Sequence, residues 1–210
     1  MVSLEDDFYR FRAGWTKLGI WGLSENQWGA LSEYGRLLHL WSGKMNLISR
    51  LDREQIATRH TSRGLVLVKI IEPMSPQTII DVGSGAGIPA IPIKVCLPGV
   101  EMFLVESRRR RASFLRFVVR ELGLKNIHVV NERIENWDSG VKADVFTARA
   151  VARPDDLRNW MGSHAALGAT LVSTLNKDVT EEKIQATEIH HFAWLDQSMR
   201  VGLFPINYQQ

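Results

Sequence analysis

The sequence predicts an α/β protein in which helices cover a mostly parallel sheet, preceded by a helical extension. From Thr78 onward, short apolar runs alternate with amphipathic segments, which is the pattern of strands and their covering helices. The first of these runs ends in a glycine-rich turn over Gly83 to Gly87, whereas the apolar residues before it recur at helical spacing. We therefore expect a Rossmann-like core with a seven-stranded sheet over residues 76–210 and a helical cap over residues 1–75, packed as one compact unit.

Two long helices are predicted in the cap. Ser24 to Gln27 has the form of a capping box, and the apolar residues behind it predict a helix over about 25–43. A second helix is expected to begin at Asp52 and to end before Pro73. The cap also holds four tryptophans, which we interpret as packing residues because most of them fall in amphipathic patterns. They are Trp15, Trp21, Trp28 and Trp41.

Short apolar runs predict the strands of the core. The candidates are 78–82, 101–105, 127–130, 144–147 and 169–175. Helices are expected over Ile88–Cys96 and Arg109–Leu122, with Gly123 ending the second one. At the tail, His190–Leu195 and Arg200–Phe204 flank a polar turn and predict an antiparallel pair at the edge of the sheet.

Composition narrows the class of protein. The chain has 210 residues, of which 45% are apolar, enough for one full core and a modest extension. Cys96 has no second cysteine to pair with, which excludes disulfides and cysteine-based metal sites and predicts a reducing, cytoplasmic setting. No apolar run reaches about 18 residues, and the first residues are acidic, so neither export nor membrane insertion is expected. The net charge of +3 is only a weak sign of a polyanionic partner.

The glycine-rich turn predicts a cofactor that contains adenosine. Glycines let the main chain approach a ligand closely, and the helix that they open presents unpaired N–H groups to negative charge. Glu106 ends the next apolar run, about where ribose hydroxyls need an acceptor. The candidate cofactor residues of the turn are Gly83, Ser84, Gly85 and Ile88.

The glycine spacing favours S-adenosylmethionine over a dinucleotide. A dinucleotide fingerprint, G-x-G-x-x-G, would need a third glycine at position 88, where this chain has Ile88. Asp81 lies two residues before the first glycine, where it would repel a pyrophosphate but could anchor the loop or a cationic group. An NAD-dependent oxidoreductase that uses Glu106 as the ribose acceptor remains an alternative, as does a loop that binds nothing.

Later strand ends add further candidates, because ligands of open α/β sheets lie outside the carboxyl ends of the strands. Ile134 and Glu135 join an apolar side chain to a hydrogen-bonding one, which suits adenine, although the same segment could be a surface loop. Arg149 follows the fourth candidate strand, near the expected reaction centre. It could orient cofactor or substrate, or form a structural ion pair with Asp81 or Glu106.

Several motifs together resemble the glucose-inhibited division protein B family. They are Asp81–Pro92, Glu106-Ser107 with Arg110-Arg111 and Phe114-Leu115, Arg133-Ile134-Glu135, Ala148-Arg149-Ala150, and, in the cap, Trp41–Leu47 with Arg59-His60. The similarity covers roughly residues 30–180. This family comprises bacterial methyltransferases that modify guanine N7 in small-subunit 16S ribosomal RNA. The resemblance therefore implies a class I S-adenosylmethionine-dependent methyltransferase with that activity.

The resemblance also implies roles for individual residues. Those expected to contact S-adenosylmethionine are Gly83, Ile88, Ile134, Glu135 and Arg149, with Glu106 on the ribose. Those expected to face the RNA, either 16S rRNA or an assembling small-subunit particle, are Lys44, Arg59, His60, Arg108 and Arg109. Two of these expectations have structural alternatives: His60 could be a boundary histidine, and the run from Arg108 to Arg111 could be a solvated helix face. We expect a monomer with no metal and no membrane partner.

Three departures from the family motif concern the substrate side. The chain has Arg63-Gly64 where Asp-Ser is usual, Ala90 where glycine is usual, and Leu175-Asn176-Lys177 where Leu-Lys-Gly is expected. They keep open a non-catalytic RNA-binding module with the same fold. No catalytic acid or base is assigned, because guanine N7 carries an in-plane lone pair and no proton, so the reaction depends on positioning.

Overall fold

One mixed sheet of seven strands organises the structure, a computed structural model that describes residues 3–18, 22–149, 154–175, 186–194 and 197–206. Its strands are β1 (Thr78–Val82), β2 (Glu101–Val105), β3 (Ile127–Val130), β4 (Ala143–Ala148), β5 (Ala165–Leu175), β6 (Glu188–Trp194) and β7 (Gln197–Pro205). The strand order is β3-β2-β1-β4-β5-β7-β6, with β1 to β5 parallel and β7 antiparallel to both of its neighbours. The predicted strands and the antiparallel edge pair are confirmed, although β5 begins four residues before the predicted 169–175 and Leu195 lies outside the described residues.

Six α-helices accompany the sheet in the described residues. They are α1 (Leu4–Leu18), α2 (Glu25–Ser42), α3 (Ser62–Ile71), α4 (Ala90–Cys96), α5 (Arg109–Glu121) and α6 (Pro154–Met161). The predictions for α2 and α5 are confirmed within one residue at each end. The predicted helix Ile88–Cys96 begins two residues late, because Ile88 and Pro89 still belong to the loop that follows β1. Neither α1 nor α6 was predicted.

The second predicted cap helix is wrong in its first half. Instead of a helix from Asp52, the chain forms a 3₁₀ turn over Arg50–Asp52, a wide π-helical turn over Ala57–Thr61 and only then α3. The cause is an acceptor from another element, Asp7 of α1, which is 3% exposed. Its Oδ2 accepts hydrogen bonds from the Ala57 and Thr58 N–H groups, at N···O distances of 2.7 and 3.4 Å. Single π-helical turns of this kind are frequent near functional sites.

Strand alternation divides the buried residues into two layers. Ile79 of β1 joins the layer that contains the cap helices, α4 and α5, whereas the next residue, Ile80, joins the opposite layer with Leu157 and Met161 of α6. Trp15 and Trp28 are buried in the first layer, as expected for packing residues, while Trp21 lies outside the described residues. Helices thus cover both faces of a mostly parallel sheet.

The cap lies close against the segment that follows β1. A Cβ built on Gly64 of α3 would lie 2.5 Å from the Cβ of Pro92 in α4, so only glycine allows the observed approach. The Tyr34 hydroxyl of α2 donates to the carbonyl oxygen of Ala86 at 2.8 Å. These contacts fix the cap over the carboxyl end of β1. No helix in the described ranges is both long enough and apolar enough to cross a bilayer.

Candidate active site

A cavity of about 990 Å³ opens at the carboxyl ends of β1, β4 and β5. Its size falls in the range typical of sites for small molecules and cofactors. The described residues of its wall come from the cap, the glycine loop, α5 and the last three strands. They are Leu47, Arg63, Gly83–Ala86, Ile88, Arg111, Arg149, Thr174, Leu175, His191–Ala193 and Ser198–Arg200. The cavity lies at the sheet edge that the sequence predicted.

The glycine loop is shaped by its own backbone. Gly85 and Gly87 have φ values of 55° and 87°, in the left-handed region that side chains rarely adopt. A Cβ on Gly87 would in addition lie 2.6 Å from a side-chain carbon of Ile91. The G-x-G-x-G spacing is therefore required by the turn. Gly83, Ser84 and Gly85 line the cavity, and of these Gly83 is exposed.

Glu106 connects the glycine loop to the start of α5. The side chain is buried, and its Oε2 accepts a hydrogen bond from the Gly85 N–H at 2.9 Å. Its Oε1 accepts one from the Arg108 N–H at 2.7 Å. Each carboxylate oxygen can accept a second hydrogen bond, so the group retains capacity for ligand hydroxyls.

Asp81 is a buried carboxylate with one unused oxygen. Its Oδ1 accepts a hydrogen bond from the Thr147 hydroxyl at 2.6 Å, whereas no described residue donates to Oδ2. Burial raises the pKa of Asp81 to about 6, above the usual carboxyl value. A buried polar atom without a partner requires an explanation, and a cationic group of a ligand would supply one.

Arg149 follows β4 and contacts the cap rather than either acid. Its Nη1 lies 3.4 Å from Nδ1 of His60, and it makes no ion pair with Asp81 or Glu106. The predicted alternative of a structural ion pair with these acids is therefore wrong. Burial lowers the pKa of Arg149, and the nearby positive charge of Arg63 lowers it further.

His60 is neutral at neutral pH and connects Arg149 to Asp52. Burial, followed by the charge of Arg149, lowers the pKa of His60 to about 4. Its Nδ1 then accepts from Arg149, which places the proton on Nε2, 3.4 Å from Oδ2 of Asp52. The other Asp52 oxygen pairs with Arg59 at 2.7 Å. Arg59, Asp52, His60 and Arg149 thus form a row of neighbouring polar groups, here called the polar chain, that ends at the cavity, although Nε2 of His60 makes no hydrogen bond of acceptable geometry with Asp52.

Ile134 and Glu135 lie apart from this wall. Both belong to a short 3₁₀ turn, Ile134–Asn136, in which Ile134 is 3% exposed and packs in the α6 layer. The Glu135 side chain is 33% exposed and lies 4.0 Å from that of Arg133. Their contact with adenine remains a prediction.

A second cavity of about 570 Å³, here called the basic groove, lies beside the first. It is lined by Gly43–Asn46, Arg50, Arg53 and Arg108–Arg111. Three of the residues expected to face RNA, Lys44, Arg108 and Arg109, are brought together here. The other two, Arg59 and His60, lie in the polar chain, and only 7% of His60 is exposed.

Several cavity residues were missed by sequence reasoning. They include Arg63, Arg111, Thr174, Phe192 and Arg200. Arg63 differs from the family motif and Arg111 belongs to the arginine run, which were usable signals. The residues of β5, β6 and β7 carry no local signal, because they meet the glycine loop only through the strand order of the finished sheet.

Methyltransferases are among the solved structures with this architecture. A methyltransferase from Geobacter sulfurreducens aligns with a TM-score of 0.58 over 91% of this chain and 94% of that chain, at 14% identity. Magnesium protoporphyrin IX methyltransferase from Synechocystis PCC 6803, solved with bound S-adenosylmethionine, aligns with a TM-score of 0.57 over 83% of this chain and 97% of that chain, at 10% identity. The fold, with its glycine loop tied to a buried acid, is that of a class I S-adenosylmethionine-dependent methyltransferase.

Sequence comparison assigns the chain to a family within this class. A model of the family described as rRNA small subunit methyltransferase G matches residues 27–194, and the chain belongs to that family. A relative with this name from Neisseria meningitidis serogroup C is 36% identical over 191 residues, which are 86% of this chain and 90% of the relative. Another from Desulforamulus reducens is 32% identical over 170 residues, 79% of this chain and 71% of the relative. The cofactor of this class is S-adenosylmethionine, as predicted, rather than a dinucleotide.

Proposed function

We propose that this protein transfers the methyl group of S-adenosylmethionine to N7 of a guanine in small-subunit 16S ribosomal RNA. The observation that carries the proposal is the position of the basic groove directly beside the cavity of the glycine loop, with Arg111 in both walls. A phosphate backbone in the groove would bring a nucleotide to the mouth of the cofactor cavity. Membership in the rRNA small subunit methyltransferase G family supports the same substrate.

The cofactor would be held by residues from four strand ends. The main chain of the glycine loop allows close approach, Glu106 has capacity for ribose hydroxyls, and the unused oxygen of Asp81 suits a cationic group. The residues proposed to bind are Gly83, Ser84, Gly85, Ile88, Glu106, Ile134, Glu135 and Arg149. In this set Arg149 also orients the guanine, because its guanidinium can donate to O6, the oxygen beside N7.

The chemistry asks the protein for alignment. S-adenosylmethionine, when bound, supplies a methyl group attached to a sulfonium sulfur, and this sulfur is the leaving group and becomes a neutral thioether. The nitrogen lone pair attacks without loss of a proton, so no side chain has to act as a base. The chain's own residues hold the two reactants in line and exclude water, and neutral His60 keeps the Arg149 guanidinium directed at the site.

The protein would act as a monomer in the cytoplasm, with the RNA lying across the basic groove. Lys44, Arg108 and Arg109 contact phosphates in this proposal, with Arg59 and His60 nearer the cofactor mouth. A guanine in a folded helix must leave its stack to reach the cavity. A small-subunit assembly particle that exposes one loop is therefore a better substrate than a complete ribosome.

Mass mapping of rRNA tests the proposal. Purified protein is incubated with labelled S-adenosylmethionine and with either naked 16S rRNA or small subunits from a strain that lacks the modification. We expect one methylated guanine, and borohydride reduction followed by aniline should cleave the RNA at that nucleotide, because N7 methylation makes the imidazole ring cationic and open to reduction. Cofactor binding without incorporation of label would instead favour the non-catalytic RNA-binding module.

A further inference from the structure

The cofactor cavity is strongly electropositive. Four of its described wall residues are arginines, and none of the described wall residues is Asp or Glu. The four are Arg63, Arg111, Arg149 and Arg200. The buried acids Asp81 and Glu106 lie behind the glycine loop, where Thr147 and main-chain N–H groups donate to them, and only Oδ2 of Asp81 has no partner among the described residues. A ligand that brings only positive charge would fit this wall poorly.

Arg63 stands out among these arginines. It lies on α3, one helical turn beyond Arg59, but whereas Arg59 pairs with Asp52, no described residue forms a hydrogen bond or an ion pair with Arg63. Its Nε is buried without a partner, while the side chain as a whole is half-buried in the cavity wall. A guanidinium in this state has hydrogen-bond donors in a fixed fork and nothing to donate to.

Arg63 and Arg149 line the same cavity, and their charges influence each other. The charge of Arg63 lowers the pKa of Arg149, and the charges of both lower the pKa of His60. Two guanidinium groups repel each other in a partly buried cavity unless an anion lies between them. His60, held neutral and bonded to Arg149, cannot provide that anion, and the charges of Asp81 and Asp52 act on Arg149 without a hydrogen bond or an ion pair to it.

We propose that Arg63 and Arg149 form an oxyanion-binding subsite on the cap side of the cavity. Guanidinium forks match carboxylates and phosphates with paired hydrogen bonds, which a single lysine cannot reproduce. The oxyanion is either the carboxylate of the cofactor's amino acid portion or a phosphate of the bound RNA. The subsite rests on the proposed function, because the cofactor and the RNA are both ligands of that function. It gives a role to Arg63, a residue that departs from the family motif.

Calorimetry with the cofactor product and a truncated cofactor analogue tests the first source. S-adenosylhomocysteine carries the carboxylate, whereas 5′-methylthioadenosine lacks the whole amino acid portion. If the carboxylate occupies the subsite, Arg63→Gln weakens binding of S-adenosylhomocysteine by about tenfold and leaves that of methylthioadenosine unchanged. Arg63→Lys keeps the charge without the fork and falls between the two. Arg36→Gln, at an exposed arginine that pairs with Glu33, is the matched control and changes neither affinity.

Methylation kinetics test the second source. If a phosphate occupies the subsite, Arg63→Gln binds S-adenosylhomocysteine like the wild type but raises KM for RNA at constant kcat. The slope of log RNA affinity against log salt also becomes shallower, by the amount that corresponds to about one phosphate contact. Two results would overturn the subsite. One is that Arg63→Gln changes the affinity for S-adenosylhomocysteine and the affinity for RNA by no more than about twofold each; the other is that the affinities for S-adenosylhomocysteine and methylthioadenosine fall together. Wild-type protein that fails to methylate RNA in the same assay would refute the proposed function instead. The two failures are thus distinguishable.

Discussion

Asp81 and His60 are two buried titratable side chains whose pKa values are displaced by the same cause, the burial of a charged form. For Asp81 the pKa rises to about 6, so between pH about 4 and 6 the folded state keeps a proton that the unfolded state has released. The contribution of Asp81 to the free energy of unfolding therefore falls as the pH rises through this window, by about 3 kcal/mol. We expect Asp81→Asn to remove this decline. Urea unfolding of both proteins at several pH values measures it, and a pH-independent difference between them would contradict the assignment.

His60 has the opposite effect on stability. Its pKa is lowered to about 4, so between pH about 4 and 6.5 the unfolded state binds a proton that the folded state does not bind. Stability from this group is present above that pH and is lost as the pH falls towards 4. His60→Gln should flatten the acid side of the stability curve and lower kcat, because the Gln amide does not place an acceptor at the position of the His60 Nδ1 atom that faces Arg149. Full activity in His60→Gln with a flattened curve would limit the residue to a structural role.

Asp7 sets the path of the chain between α1 and α3. Besides the two N–H groups of the π-helical turn, it accepts a hydrogen bond from the Thr58 hydroxyl at 2.5 Å. Asp7→Ala leaves these donors buried and unpaired, and we expect it to lower the free energy of unfolding by about 2–4 kcal/mol. Glu5→Ala, in the exposed first turn of the same helix, is the control and should change little. Chemical denaturation decides, and equal effects of the two variants would contradict this role.

The same segment shows where prediction from sequence succeeds and fails. The α2 helix was predicted because its start is local: Ser24 and Gln27 form the capping box within four residues. The strand, glycine turn and Glu106 were predicted for a similar reason, since each carries its own pattern. The turn at Ala57–Thr61 depends on Asp7, 50 residues away, and Arg63 meets Arg149 only when cap and sheet are assembled. Contacts of that kind leave no periodicity or spacing in the chain.

The basic groove makes a prediction for the complete molecule and its RNA. Each phosphate held by a cation releases counterions, so RNA affinity should fall steeply with salt. We expect the double variant Arg108→Gln, Arg109→Gln to weaken binding and to reduce the slope of log affinity against log salt by about 1–2. The pair Arg36→Gln, Lys69→Gln removes the same charge from residues outside the groove wall and should keep the wild-type slope. Filter binding across a salt series gives both slopes, and parallel lines for all three proteins would argue against the groove.

Arg111 belongs to both cavities, and its Nη2 donates to the carbonyl oxygen of Asn46 at 3.3 Å. If RNA in the groove and the cofactor in the cavity both contact this guanidinium, the occupant of one compartment alters what the other can bind. Thermodynamic linkage makes that influence mutual: RNA must change the affinity for the methyl donor by the same factor by which the donor changes the affinity for RNA. We therefore expect cofactor exchange after each turnover to depend on whether the modified transcript has departed.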